Sequence, residues 1–199
     1  FGYGRIGQNL HKYFSSMNIP IPKTWQITNN KELQETIRSE NNKWYWLKSD
    51  FSKNPNYTYR FNSKNIPIDD INWKQDRYLR DGYVLQPEFS GISLRINLYG
   101  ERFNVFDFQT DKLSHKHHKR IKDLGIVDTL RKLLCSLGLE GWLIKFDIIL
   151  QDRKYVVLDI GMDPPSRMRR ESERQGVHFE KYYIEHYLCG DVNYPFSLD

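Results

Sequence analysis

Two apolar runs, WLIKFDIIL at 142–150 and YVVLDI at 155–160, flank the polar segment Gln151-Asp152-Arg153-Lys154. Runs of this length and composition around a short polar break predict a β-hairpin. Each run carries one aspartate, Asp147 and Asp159. A carboxylate in an apolar strand is costly unless it is paired or holds a cation. Hard oxygen ligands on a rigid scaffold suit Mg²⁺, which keeps its other positions for water and substrate phosphates. Aspartates facing solvent at strand edges are the other reading of the same two residues.

A chain of 199 residues fits one domain, or two small lobes sharing a cleft. With 15% aromatic residues it has material for a core. The net charge of +5 favours anionic ligands, but 25 acidic residues are mixed among the 30 basic ones. Basic patches without a known binding module do not predict a nucleic-acid partner. Cys135 and Cys189 lie in apolar, helix-like text and are expected to be buried free thiols in a reducing compartment, hence a cytoplasmic protein. No run approaches the roughly 18 apolar residues of a membrane span, and no signal peptide is evident.

Along the chain, FGYGRIG at 1–7 satisfies G-x-G-x-x-G, but the strand it needs would lie upstream of Phe1 and no acidic partner stands out at the right distance. It is expected to be a glycine-rich turn into a helix at 8–17, with 1–17 the remnant of a preceding α/β domain. Pro20 and Pro22 forbid helix and lead into a strand; a helix follows at 31–40, with Leu33 and Ile37 on one side. Strands are expected at 43–50 and 83–89 and as a hairpin at 93–99 and 102–108. The asparagine-, serine- and lysine-rich stretch 52–72 reads as a loop with a short strand at 57–61, and 69–80 as a short helix. Helices are expected at 125–137 and 177–188.

In order and spacing, these pieces resemble an ATP-grasp domain over about residues 10 to 190. Asn18-Ile19-Pro20-Ile21-Pro22 is similar to the family's G-I-P-x-P segment. Leu47-Lys48 is similar to its phosphate-contacting strand end, and Val84-Leu85-Gln86-Pro87-Glu88 to its hinge strand. The segment 93–101, SLRINLYGE, is similar to D-I-R-V-x-V-x-G-G. Asp147 and Asp159 match the two metal-binding acids of the terminal hairpin.

The resemblance implies an α+β fold of two small lobes, 18–82 and 83–199, with the nucleotide cleft between them. It implies that Lys48, Gln86, Pro87 and Glu88 bind ATP, and that Asp147 and Asp159, with Asp163 as a further candidate, hold Mg²⁺. Arg95 would stabilise the transferred phosphoryl group or the oxyanion that follows.

The sequence departs from the family in four places. Residues 49–61 contain no glycine where a glycine-rich loop usually covers the phosphates, leaving Lys53, Tyr59 or Arg60 as substitutes. Ser93 stands at the usual ribose-binding acid, with Glu88 as the substitute. Asp159-Ile160-Gly161 stands for E-x-N, which loses one ligand at Gly161. Arg5 is the nearest stand-in for an upstream lysine. A catalytically degenerate, nucleotide-binding member therefore remains an alternative.

Ser114-His115-Lys116-His117-His118-Lys119-Arg120 reads as a solvated basic loop, and in this family as a place where substrate is met, with His117 the candidate. Arg167-Met168-Arg169-Arg170 is a charge-balanced helix start, or a clamp for a substrate carboxylate or phosphate through Arg167 and Arg169. The activity implied is ATP-dependent ligation of a small-molecule or peptide carboxylate to an amine through an acyl phosphate. A small-molecule kinase of the same fold is the nearest competitor.

Overall fold

Alternation along WYWLKS sets the first sheet: Tyr45, Leu47 and Ser49 are buried while Trp44, Trp46 and Lys48 lie half-buried on the other side. The computed structural model describes residues 13–49, 55–74, 82–99, 102–139, 142 and 144–161. Contacts divide the chain into two units, Phe1–Ser90 and Gly91–Asp199.

In the first unit, β1 (Trp25–Ile27), β2 (Trp44–Ser49), β3 (Thr58–Asn62) and β4 (Tyr83–Pro87) form an antiparallel sheet in the order β1-β4-β2-β3. Helix α1 (Asn30–Ser39) begins where Asn29 Oδ1 accepts from Glu32 N–H at 3.0 Å and the Glu32 carboxylate accepts from Thr28 N–H and Oγ1–H, each at 2.8 Å. This reciprocal cap satisfies donors that the first turn leaves unpaired. The helix buries Leu33 and Ile37 against Tyr45, Leu47, Tyr83 and Leu85 of the sheet.

The expected division at 82/83 shifts to 90/91. Tyr83–Pro87 is buried at every position and pairs with both β1 and β2, so it is an interior strand of the first sheet and not the start of the second.

The second unit holds β5 (Ile92–Tyr99), β6 (Arg102–Asp107), β7 (Lys112–Leu113), α2 (His115–Asp123), α3 (Ile126–Ser136), β8 (Ile144–Gln151) and β9 (Lys154–Gly161). Its antiparallel sheet runs β7-β6-β5-β8-β9. Gly91, at φ +146°, opens β5, and a Cβ there would lie 2.7 Å from both Ile149 Cγ2 and the Leu150 carbonyl oxygen. Only glycine lets the chain enter the sheet so close to β8.

The two faces of this sheet differ in chemistry. Leu94, Ile96 and Leu98 of β5 and Ile144, Phe146, Ile148 and Leu150 of β8 make an apolar face. Helix α2 packs on the same side, where the His118 ring stacks on Phe103 at 4.0 Å. Arg95 and Asn97 of β5, and Lys145 and Asp147 of β8, line the opposite face.

The histidine-rich tract is helical, not the expected loop. Ser114 Oγ accepts from His117 N–H at 3.3 Å, and His117, His118 and Ile121 fall on the buried side. Cys135 is exposed, contrary to expectation, because α3 turns Leu133 and Leu134 inward and the next residue out. The expected strand at 57–61 is β3, while 71–74 are irregular. Residues 13–16 are helical, matching the end of the helix expected at 8–17. The glycine-rich turn, Arg5, Lys53, the rest of 69–80, Cys189 and the helix expected at 177–188 lie outside the described residues. No helix among the described residues is long and apolar enough to cross a membrane.

Candidate active site

In the first unit the strand register brings Lys48 and Gln86 to one face. Trp46 pairs with Gln86 and Lys48 with Val84, so Lys48 stands diagonal to Gln86. The Lys48 ammonium donates to Gln86 Oε1 at 3.3 Å, and the Gln86 amide donates to Thr24 Oγ1 at 3.0 Å. The Lys48 Nζ also lies 5.8 Å from the Trp46 ring centroid.

Pro87 pairs with the buried Tyr45 and so faces the core, which leaves its backbone rather than its ring to meet a ligand. Glu88 is held by Arg60, whose Nε and Nη2 donate to its two oxygens at 2.8 and 3.0 Å while the guanidinium covers the Trp44 ring at 4.4 Å. The carboxylate raises the Arg60 pKa above its ordinary value, opposed by a smaller desolvation effect. Arg60 is therefore a neighbour of the expected ribose-binding carboxylate rather than a free cover for phosphates.

In the second unit three strands align the expected chemistry. Arg95 pairs with Asp147, and Asp147 pairs with Asp159. Directly opposed residues share a face, with Cβ atoms about 5 Å apart. Asp159 reaches that face through a bulge: Val157 pairs with the core residue Ile148, yet Asp159 pairs with Asp147, so Leu158 is the extra residue. Regular alternation would carry Val157 and Asp159 to the same side; the extra residue reverses the phase.

Arg95 is 5% exposed and binds Asp147 in a two-pronged pair, Nε to Oδ1 at 2.5 Å and Nη2 to Oδ2 at 2.7 Å. Its Cζ lies 5.1 Å from the Phe108 ring centroid. Its third nitrogen, Nη1, is buried and has no hydrogen-bond partner among the described residues. A guanidinium so held keeps one N–H edge that no described residue uses.

His117 does not join this group. It is buried under α2, with Nε2 3.4 Å from Asp107 Oδ2, and Asp107 pairs toward the apolar face. Burial lowers the His117 pKa, assisted by Lys116 and Arg120, against an opposing pull from Asp107. Asp163, Arg167 and Arg169 lie outside the described residues. A cavity of about 630 Å³, lined by Lys116, Lys119, Arg120, Asp123 and Arg153, sits at the β8–β9 turn and includes none of the expected site residues.

Three buried polar residues on the polar face had no role in the sequence reading: Asn97, Asn104 and Lys145. Asn97 donates to Asn104 across β5 and β6 at 2.6 Å. Their signal is strand alternation, since each is spaced by two from another polar residue of that face or pairs with one.

Among the described residues no group of three or more histidine, cysteine, aspartate or glutamate side chains forms a ready-made metal site. Asp147 and Asp159 supply two hard donors side by side. That suits Mg²⁺, which is commonly held by one or two carboxylates together with substrate phosphates.

No protein family and no curated protein matches the chain. Solved structures do. The ATP-grasp ligase PsnB, solved with a minimal precursor, Mg and ADP, superposes at a TM-score of 0.59 over 83% of this chain and 51% of its own, with 13% identity. D-alanyl-alanine synthetase A from Vibrio cholerae gives 0.59 over 92% and 63%, with 11% identity. D-Alanine-D-alanine ligase from Helicobacter pylori gives 0.60 over 81% and 55%, with 12% identity. The chain has the ATP-grasp fold. It spans between half and two thirds of the length of these three ATP-grasp-fold proteins. The ATP-grasp resemblance read from motif order thus agrees with the three-dimensional likeness.

Proposed function

We propose that the protein is an ATP-dependent ligase that joins a carboxylate to an amine. The observation that carries this reading is the Arg95–Asp147–Asp159 row, with Arg95 Nη1 left to donate. Lys48 would hold the nucleotide phosphates as a compact cation, supported by Gln86. Asp147 and Asp159 would hold Mg²⁺, which when bound neutralises charge on the phosphate oxygens.

A substrate carboxylate oxygen would attack the γ-phosphorus, and the bond from that phosphorus to the β–γ bridging oxygen breaks, releasing ADP. The amine then attacks the acyl carbon. The C–O bond to phosphate breaks, phosphate leaves with its electron pair, and the amine proton passes to solvent. Arg95 contributes by donating to oxygens that gain charge during both steps. The remaining contribution is positioning of the two reactants.

Fold likeness to proteins named as ligases supports this reading, as does the pairing of two acids beside a guanidinium. The glycine-free stretch 49–61 and the absent side chain at Gly161 support the second reading, a nucleotide-binding module without turnover. Incubation with carboxylate and amine substrates separates the two: ADP and phosphate released in step with an amide mark the ligase. A phosphorylated product would instead mark a kinase. Titration of Mg-ATP into Asp147→Asn is expected to lose the Mg²⁺-dependent tightening seen with the native chain. Unchanged tightening would sink the metal assignment.

A further inference from the structure

Gly161 closes the sheet where the resemblance leads one to expect an asparagine ligand. It is not among the glycines with positive φ, so its missing side chain serves space rather than backbone freedom. The space is taken by Lys145, its cross-strand partner. A Cβ at residue 161 would run into Lys145 Cε, with Nζ 3.3 Å and Cδ 3.6 Å away. Lys145 is only 9% exposed. It stands two residues before Asp147 on the same face, and Gly161 stands two after Asp159.

A lysine chain laid across a neighbouring strand gives up rotamer freedom, and its ammonium gives up water. Such a placement holds where negative charge is concentrated. We propose that the Lys145 ammonium is a built-in cation of the nucleotide site, standing where a side chain of residue 161 would otherwise help hold a metal ion. The site then admits one divalent ion, bound by Asp147 and Asp159, and Lys145 supplies the remaining positive charge to the phosphates. A second ion beside it would meet a fixed like charge and lack a ligand from position 161. The inference rests on the proposed nucleotide-binding reading and adds to it the metal count and a phosphate-binding cation.

The test uses the full chain with a non-hydrolysable ATP analogue and Mn²⁺, counted by electron paramagnetic resonance. The native chain is expected to bind one Mn²⁺ per nucleotide, a count that needs no variant. Lys145→Met is expected to weaken analogue binding about tenfold, the loss of one charge-assisted contact. Gly161→Ala, which pushes the lysine chain aside, is expected to give a loss of the same direction with the fold retained by circular dichroism. Two bound Mn²⁺ in the native chain, or an unchanged affinity in both variants, overturns the proposal while leaving nucleotide binding intact. A native chain that binds no analogue overturns the nucleotide reading itself, and this inference with it.

Discussion

At the scale of single residues, Arg95 and His117 carry opposite lessons. Arg95 was readable as a strand residue aimed at charge, and its partner Asp147 was readable as a carboxylate in apolar text. That the two pair with each other depends on register, which the motifs alone do not state. Arg95→Ala leaves Asp147 without its guanidinium, and a loss of about 3 kcal/mol in unfolding free energy is expected by urea denaturation. Arg95→Lys keeps the charge but not the fork, and turnover is expected to fall by about 10²-fold or more with smaller loss of ATP affinity. His117 was misread because a run of basic residues looks solvated, while Ser114 caps a helix and turns every third or fourth residue inward.

Burial, helped by Lys116 and Arg120 against Asp107, places the folded His117 pKa below 6.5. The unfolded chain therefore takes up the proton first as pH falls. The contribution to stability is complete above the unfolded value and is lost as pH drops from about 6.5 through the lower folded value. Urea midpoints between pH 8 and pH 5 should fall more in the native chain than in His117→Gln.

At the scale of elements, the hairpin, α1, β2, β4 and the β5–β6 pair were legible because their periods are clean. The bulge at Leu158 was not. Counting by two from Val157 puts Asp159 on the apolar side, and only the ladder shows the added residue that brings it beside Asp147. Lys145 escaped for a related reason: its place depends on a glycine in the neighbouring strand, not on its own surroundings in sequence. The entry to β5 is the most exacting position in the second unit. Gly91→Ala is expected to cost about 1–3 kcal/mol through positive φ and contact with Ile149 and Leu150. Hydrogen exchange should locate that loss in β5 and β8 and spare β2.

At the scale of the whole molecule, two sheets were foreseeable, but the border between them was not. The hinge-like motif drew the line at Tyr83, whereas uniform burial of Tyr83–Pro87 makes it an inner strand of the first sheet. Under the proposed reading, Mg-ATP at 100 times its Kd should raise the unfolding free energy of the part that binds it by about 2.7 kcal/mol. Calorimetric scans with Mg²⁺ alone or ATP alone should show markedly smaller shifts.

The reason lies in the row of Arg95, Lys145, Asp147 and Asp159. Its formal charges sum to zero, two plus and two minus. Under the proposed reading, a lining with no net charge of its own leaves a guest's charge to be balanced mostly within the guest. Free triphosphate would bring more uncompensated negative charge to that row than its Mg²⁺ chelate, and Mg²⁺ alone would find no phosphate oxygens to complete its shell, so the proposed reading favours the chelate.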